Sequence, residues 1–234
     1  MKRHLIYLPS SAKTGVEKDA YLASLGENCS NNILEHAKRA ESGVDLVWGD
    51  PVLRLLRTEK DTGHISVVFY EGSLPDENYG SDHFSAGNLE INGLQTALVN
   101  QMIGHGIHIF PIENEQVYRN YGQAVEAFAR NSGYECTQEA LHDLRVASRY
   151  RDDYMIHSIE RGLRPGEIGL LILGLYHDVV HRLPNDIELV FPTPMRHSDE
   201  DEKAIQSIKH FVDELHKSTS SMIEHEFSGH KERG

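Results

Sequence analysis

Four short apolar runs in this chain each stop on residues able to do acid–base chemistry. "SVVFY" stops at Glu71, "IHIFPI" at Glu113, "GLLILGLY" at His177 and Asp178, and "HLIYLP" at Ser10 and Ser11. If these runs are parallel neighbouring strands, their ends share one rim. Two carboxylates and an imidazole gathered there can move protons or hold one divalent metal ion. In that reading Glu71 or Glu113 is the base or a metal ligand, His177 is a base or ligand, and Ser10, Ser11, Asp152 and Asp178 line the substrate-binding margin. The competing reading makes each glutamate a helix cap or a solvated loop acid.

Arg151 enters by a different route. Within "TQEALHDLRVASRYRDDYMIHSIERGLRPG" it sits amid the stripe of Leu144, Ala147, Met155 and Ile159, the face that should pack on a sheet. A cation placed there is either paired or faces a cleft, where it can hold a substrate anion or stabilise developing negative charge. The alternative has it snorkel from the edge of the stripe to Asp152 or a neighbouring acid. "HDVVH" offers a separate chemistry, because His177 and His181 stand four apart with an acid after the first, as in H-E-x-x-H zinc hydrolases. That motif needs a helix across 166–183. Gly166, Gly169 and Gly174 and the all-round apolarity of the run favour a buried strand that stops at His177, which leaves His181 a bystander. There is no G-x-S-x-G elbow, P-loop or G-x-G-x-x-G, so serine hydrolase, nucleotide hydrolase and dinucleotide chemistry lack support.

The elements that must carry these residues alternate. Apolar strands are predicted at 4–8, 64–72, 107–113, 167–177 and 186–192. A helical stripe of Leu22, Leu25, Cys29, Ile33 and Ala37 covers 17–40, and the stretch from Gly43 to Gly63 is ambiguous because Gly49 and Pro51 interrupt it. "SLPDENYGSDHFSAGN" reads as a long loop. Helices follow at 88–106, at 114–133 with Asn114 as N-cap, and from Thr137 to the "LRPG" stop, the last expected to be the longest. Strands alternating with helices of this length indicate an α/β fold, a mostly parallel central sheet flanked by helices on both faces. One α/β domain is expected over 1–195, then an amphipathic helix over 196–220 (Ile205, Ile208, Val212, Leu215) packed on it or on a partner subunit. A polar tail over 221–234 follows, with His216, His225 and His230 read as solvated.

Composition narrows the partners. A net charge of −13 disfavours nucleic acid and anionic membrane surfaces, and no apolar run approaches the roughly 20 residues that cross a bilayer. Cys29 and Cys136, far apart and outside any zinc spacing, suit a reducing, cytoplasmic setting, with a disulfide as the lesser alternative.

Taken together, "YRDDYMIHSIERGLRPGEIGLLILGLYHDV" resembles the pattern of the TraB superfamily, which takes in the TIKI proteases, ChaN-like haem-binding proteins and erythromycin-esterase-like enzymes. In that pattern an arginine-bearing helix precedes a strand ending in G-x-x-H, here Arg151 and Gly174 to His177. The resemblance covers 145–192 and, more loosely, 65–113. It implies a hydrolase, with Glu71 or Glu113 at the acidic position and a small-molecule or peptide substrate. It implies also that this chain departs from the active hydrolases, because "LPSSAKTG" carries Ser10, Ser11 and Lys13 where they carry a first G-x-x-H histidine. A non-catalytic ligand-binding or regulatory module of the same fold is therefore the alternative to the enzyme, and a homo-oligomer is open to either.

Overall fold

The computed structural model describes residues 2–10, 18, 22, 31–76, 80–84, 93–131, 138–193 and 199–228. Strands β1 (Arg3–Ser10), β2 (Val67–Tyr70), β5 (His108–Pro111), β6 (Ile168–Gly174) and β7 (Ile187–Val190) form one sheet, parallel throughout, in the order β5-β2-β6-β1-β7. Consecutive residues of β1, Leu5 to Leu8, are all buried, as are Val67 to Tyr70 of β2 and Leu170 to Leu173 of β6. Both faces of the sheet are thus covered, which is why these strands read as unbroken apolar runs rather than as alternating ones. The covering helices among the described residues are α1 (Asn31–Trp48), α2 (Pro51–Thr62), α3 (Gly93–Gly104), α4 (Glu115–Asn131), α5 (Gln138–Gly162) and α6 (Asp199–Ser228). None of them is long and apolar enough to cross a membrane.

Several boundaries differ from the sequence expectation. The ambiguous stretch before Gly63 is helical on both sides of a break at Gly49, where α1 ends and Pro51 opens α2 at the position proline favours. The expected long loop holds a small antiparallel pair, β3 (Pro75–Asp76) with β4 (Gly80–Phe84). The longest helix is α6 at 30 residues, not α5 at 25, and it runs to Ser228, well into the expected polar tail. Ser11, Cys29, Cys136, Thr137 and the first part of the expected helix over 17–40, apart from residues 18 and 22, lie outside the described residues.

Two contacts fix the helices against the sheet. α6 buries Ile205, Ile208, Phe211, Val212 and Leu215, and it approaches α1 so closely that a Cβ on Gly43 would stand 2.8 Å from the Ala204 carbonyl oxygen. At the amino edge of the sheet, buried Arg3 grips Asp186 through Nε and Nη2, both at 2.8 Å. Its Nη1 donates to the carbonyls of Glu160 (2.8 Å) and Leu163 (3.0 Å), satisfying acceptors that the end of α5 leaves open. The opposite, carboxyl edge is where the site forms. There the chain leaves β1 for β2 on one side and β6 for β7 on the other, and such a reversal opens a crevice beyond the strand ends.

Candidate active site

β6 lies between β2 and β1, with Ile172 opposite Tyr70 and Gly174 opposite Ser10. That register puts the residues following β2 and β6 side by side. Beyond β2, the Glu71 backbone N–H still donates to the Ile172 carbonyl at 3.0 Å, so the side chain leaves from a fixed point. Glu71 Oε2 then accepts the Gly174 N–H at 2.8 Å, and a Cβ at 174 would press on that oxygen at 3.0 Å and on the His177 ring at 3.4 Å. The glycine of G-x-x-H leaves room for this close approach of a carboxylate to backbone, which a larger residue would crowd. Ser73 ties the neighbouring strand end in: its hydroxyl donates to the Tyr70 carbonyl and accepts the Ile112 N–H at 3.2 Å, and its carbonyl accepts the Glu113 N–H at 3.1 Å.

α5 supplies the counter-charges from consecutive positions. Arg151 Nη2 donates to Glu113 Oε1 at 2.5 Å and to Glu71 Oε1 at 3.1 Å, while its Nε lies 3.1 and 3.3 Å from the two Glu113 oxygens. The guanidinium also lies over the rings of Tyr118 and Tyr121, 5.2 and 4.7 Å from their centroids. Burial by itself would lower its pKa, but Glu113 and Glu71 outweigh that and push it well above the ordinary arginine value. The next residue, Asp152, is 2.7 Å from His177 Nδ1 through Oδ1, and His177 Nε2 is 3.2 Å from Glu71 Oε1. Arg151, Glu71, His177 and Asp152 therefore close a ring of alternating charge through the α5 backbone.

The imidazole is the surprising member. Burial lowers its pKa, yet the Glu71 and Asp152 carboxylates win and raise it to about 10. His177 is a cation at neutral pH, so it is a proton donor rather than the base that its place after a strand suggested. The same field, together with burial as the larger cause, raises the Tyr7 phenol above its ordinary value.

The structure thus brings Glu71, Glu113, Arg151 and His177 into one hydrogen-bonded cluster, as the strand-end argument expects. Arg151 does not snorkel to Asp152. It is buried, and its Nε and Nη2 are turned to acids that follow two different strands rather than to an open cleft. Asp152 and Asp178, expected at the substrate margin, are buried instead: Asp152 Oδ2 accepts the Asp178 N–H at 3.0 Å, and Asp178 turns to α6. Ser10 is buried on β1, its carbonyl accepting the Leu175 N–H at 3.0 Å. The H-D-x-x-H reading falls with the helix it needs, since 168–174 is a strand and His181 pairs with Asp213 at 2.9 Å.

A divalent metal at Glu71 and His177, the cofactor expected above, does not suit this arrangement. The Glu71 oxygen nearest the imidazole already binds the Arg151 cation, and no three His, Cys, Asp or Glu side chains among the described residues are disposed to hold an ion. Sequence reasoning also missed His216. Read as solvated, it is half-buried with Nδ1 2.9 Å from Asp178 Oδ1, a pairing across elements that no local pattern announces. Tyr118 and Tyr121 carried a signal in principle, two aromatics three apart on the helix that follows Glu113.

No family model matches the chain, and neither a curated protein nor a solved structure matches it. What fold and site define is a class by architecture: an α/β protein whose parallel sheet carries a buried acid–arginine–histidine network on its carboxyl rim.

Proposed function

We propose that the protein is a hydrolase of small-molecule or peptide substrates, as the TraB resemblance implies, with Glu71 and His177 as its acid–base pair. One observation carries the reading. Of the five networked side chains, Glu71 and His177 keep 15% and 12% of their surface accessible, whereas Arg151, Asp152 and Glu113 keep 3%, 6% and 0%. Two groups face outward, and three hold them from behind.

Their charge states suit opposite roles. Paired with Arg151 and held by the Gly174 N–H, the Glu71 carboxylate can take a proton from an attacking water as the hydroxyl adds to the substrate carbonyl carbon. Glu71 and Asp152 together keep His177 protonated, so the imidazolium can neutralise the developing oxyanion and then give its Nε2 proton to the leaving group. The two steps assist each other: once Glu71 is protonated, the charge that held the His177 pKa high is gone and the imidazolium becomes the stronger acid. Glu71 then returns its proton to His177 across their 3.2 Å contact, which restores the starting state with one water consumed.

The test is a panel of p-nitrophenyl esters, lactones and fluorogenic peptides, hydrolysed by the wild-type protein, E71Q and H177N, with far-UV circular dichroism as the folding control. Turnover of at least one class should fall by about 10²- to 10⁴-fold in both variants while the fold persists. Equal activity in folded H177N or E71Q, or no hydrolysis of any class by the wild type, overturns the proposal.

A further inference from the structure

The C-terminal helix meets the site through a second histidine–aspartate pair. Asp178, the residue after His177, is buried, and both its oxygens are taken from α6: Oδ1 lies 2.9 Å from His216 Nδ1, and Oδ2 accepts the Thr219 hydroxyl at 2.7 Å. The remaining groups facing it come from α5, Arg149 at 3.8 Å from Oδ2 and Asp152, whose charge opposes its ionisation. His216 in turn stacks on His181, with ring centroids 5.1 Å apart, and His181 is paired to Asp213 of α6.

Among the described residues, the Asp178 backbone N–H is one of two hydrogen-bond partners that meet the Asp152 carboxylate. The other is the His177 imidazole, so the two aspartates form consecutive links from α6 to the acid–base pair. We infer that His216 and Thr219 are positioning residues for His177: by holding the Asp178 carboxylate they fix the 177–178 backbone, and with it the N–H that aims Asp152 at the imidazole. The catalytic meaning of this link rests on the proposed Glu71–His177 pair, but the link itself does not. Asp178 is expensive to bury, since burial raises its pKa against the restraint of Thr219 and His216. Removing either partner leaves that buried carboxylate short of a donor, and a shift of the short turn after β6 that relieves it carries the 178 N–H away from Asp152.

The test reads His177 directly, by NMR titration of its ring protons and nitrogens in the full-length protein, and needs no substrate. In T219V and H216Q the His177 midpoint should fall from near 10 by about one unit, because an Asp152 carboxylate that has lost its alignment with the ring holds the imidazolium less well. D213N serves as the control, since it loosens the same face of α6 through His181 but leaves Asp178 untouched, and its midpoint should stay at the wild-type value. T219V keeps the side-chain volume, so it remains informative if H216Q fails to fold. An unchanged midpoint in folded T219V overturns the inference, and so does an equal shift in D213N, which would mean that any loosening of α6 suffices. A shift confined to T219V and H216Q in a protein that hydrolyses nothing would sustain the link and dismiss the hydrolase.

Discussion

Glu71 Oε1 receives two cations, the Arg151 guanidinium and the His177 imidazolium, and that sharing is what makes the site more than a buried salt bridge. Arg151 stands behind it almost wholly desolvated, with Glu113 as its nearest acid. Burying both charges is costly, so the pair as a whole adds little to stability. Removing one partner is different, because it leaves the other buried and uncompensated. R151M should therefore destabilise the protein by about 3–5 kcal/mol in urea denaturation. Adding E113L to R151M should recover most of that loss, although the double variant still lacks the guanidinium that pairs with Glu71. A single R151M that unfolds at the wild-type urea midpoint would show that the arginine is solvated and its network unimportant.

At the scale of elements, the strands were readable because each is a short apolar run with a break after it, and the residues at those breaks are the ones the sheet gathers. Arg151 was readable for a related reason, a charge on the wrong face of a helical stripe. Asp152 was visible but misplaced at the substrate margin, since nothing in its neighbourhood says that its partner is the histidine 25 positions on. The link from α6 was invisible, because His216 and Thr219 carry no pattern that distinguishes them from a solvated helix face. The same holds for α1 against α6, whose close approach depends on Gly43. Alanine there should gain up to about 1 kcal/mol in helix propensity. It should lose about 1–3 kcal/mol to overpacking, because the atom in the way at 2.8 Å is a backbone carbonyl that cannot step aside. G43A is expected to lower the urea midpoint on balance, and a raised midpoint would mean that the two helices can part at no cost.

For the whole molecule, the raised His177 pKa makes stability a function of alkalinity. The unfolded chain loses this proton near 6.5 and the native protein near 10, so the stabilisation is fully present below about pH 6.5 and is lost progressively as pH rises towards 10. Thermal unfolding measured from pH 6 to 10 should show a falling melting temperature, and H177N should flatten the part of that slope that belongs to the imidazole. A wild-type melting temperature that holds level over this range would put the native pKa near its ordinary value and remove the charged ring from the site. The strand that delivers this histidine also sets the order of assembly. β6 is the sixth strand among the described residues, yet it occupies the slot between β1 and β2, pairing Leu5 with Gly169 on one side and Val67 with the same glycine on the other. Until it inserts, β1 and the β2–β5 pair have no strand between them, and the strand pairings that join them through β6 span about 100 residues or more. Folding should accordingly be slow and late for a chain of this size, and during synthesis the first two-thirds of the chain would wait with open strand edges, a state prone to aggregation. The insertion that closes the sheet is the same event that carries His177 to Glu71, so no form in which β6 is still unpaired can hold the site.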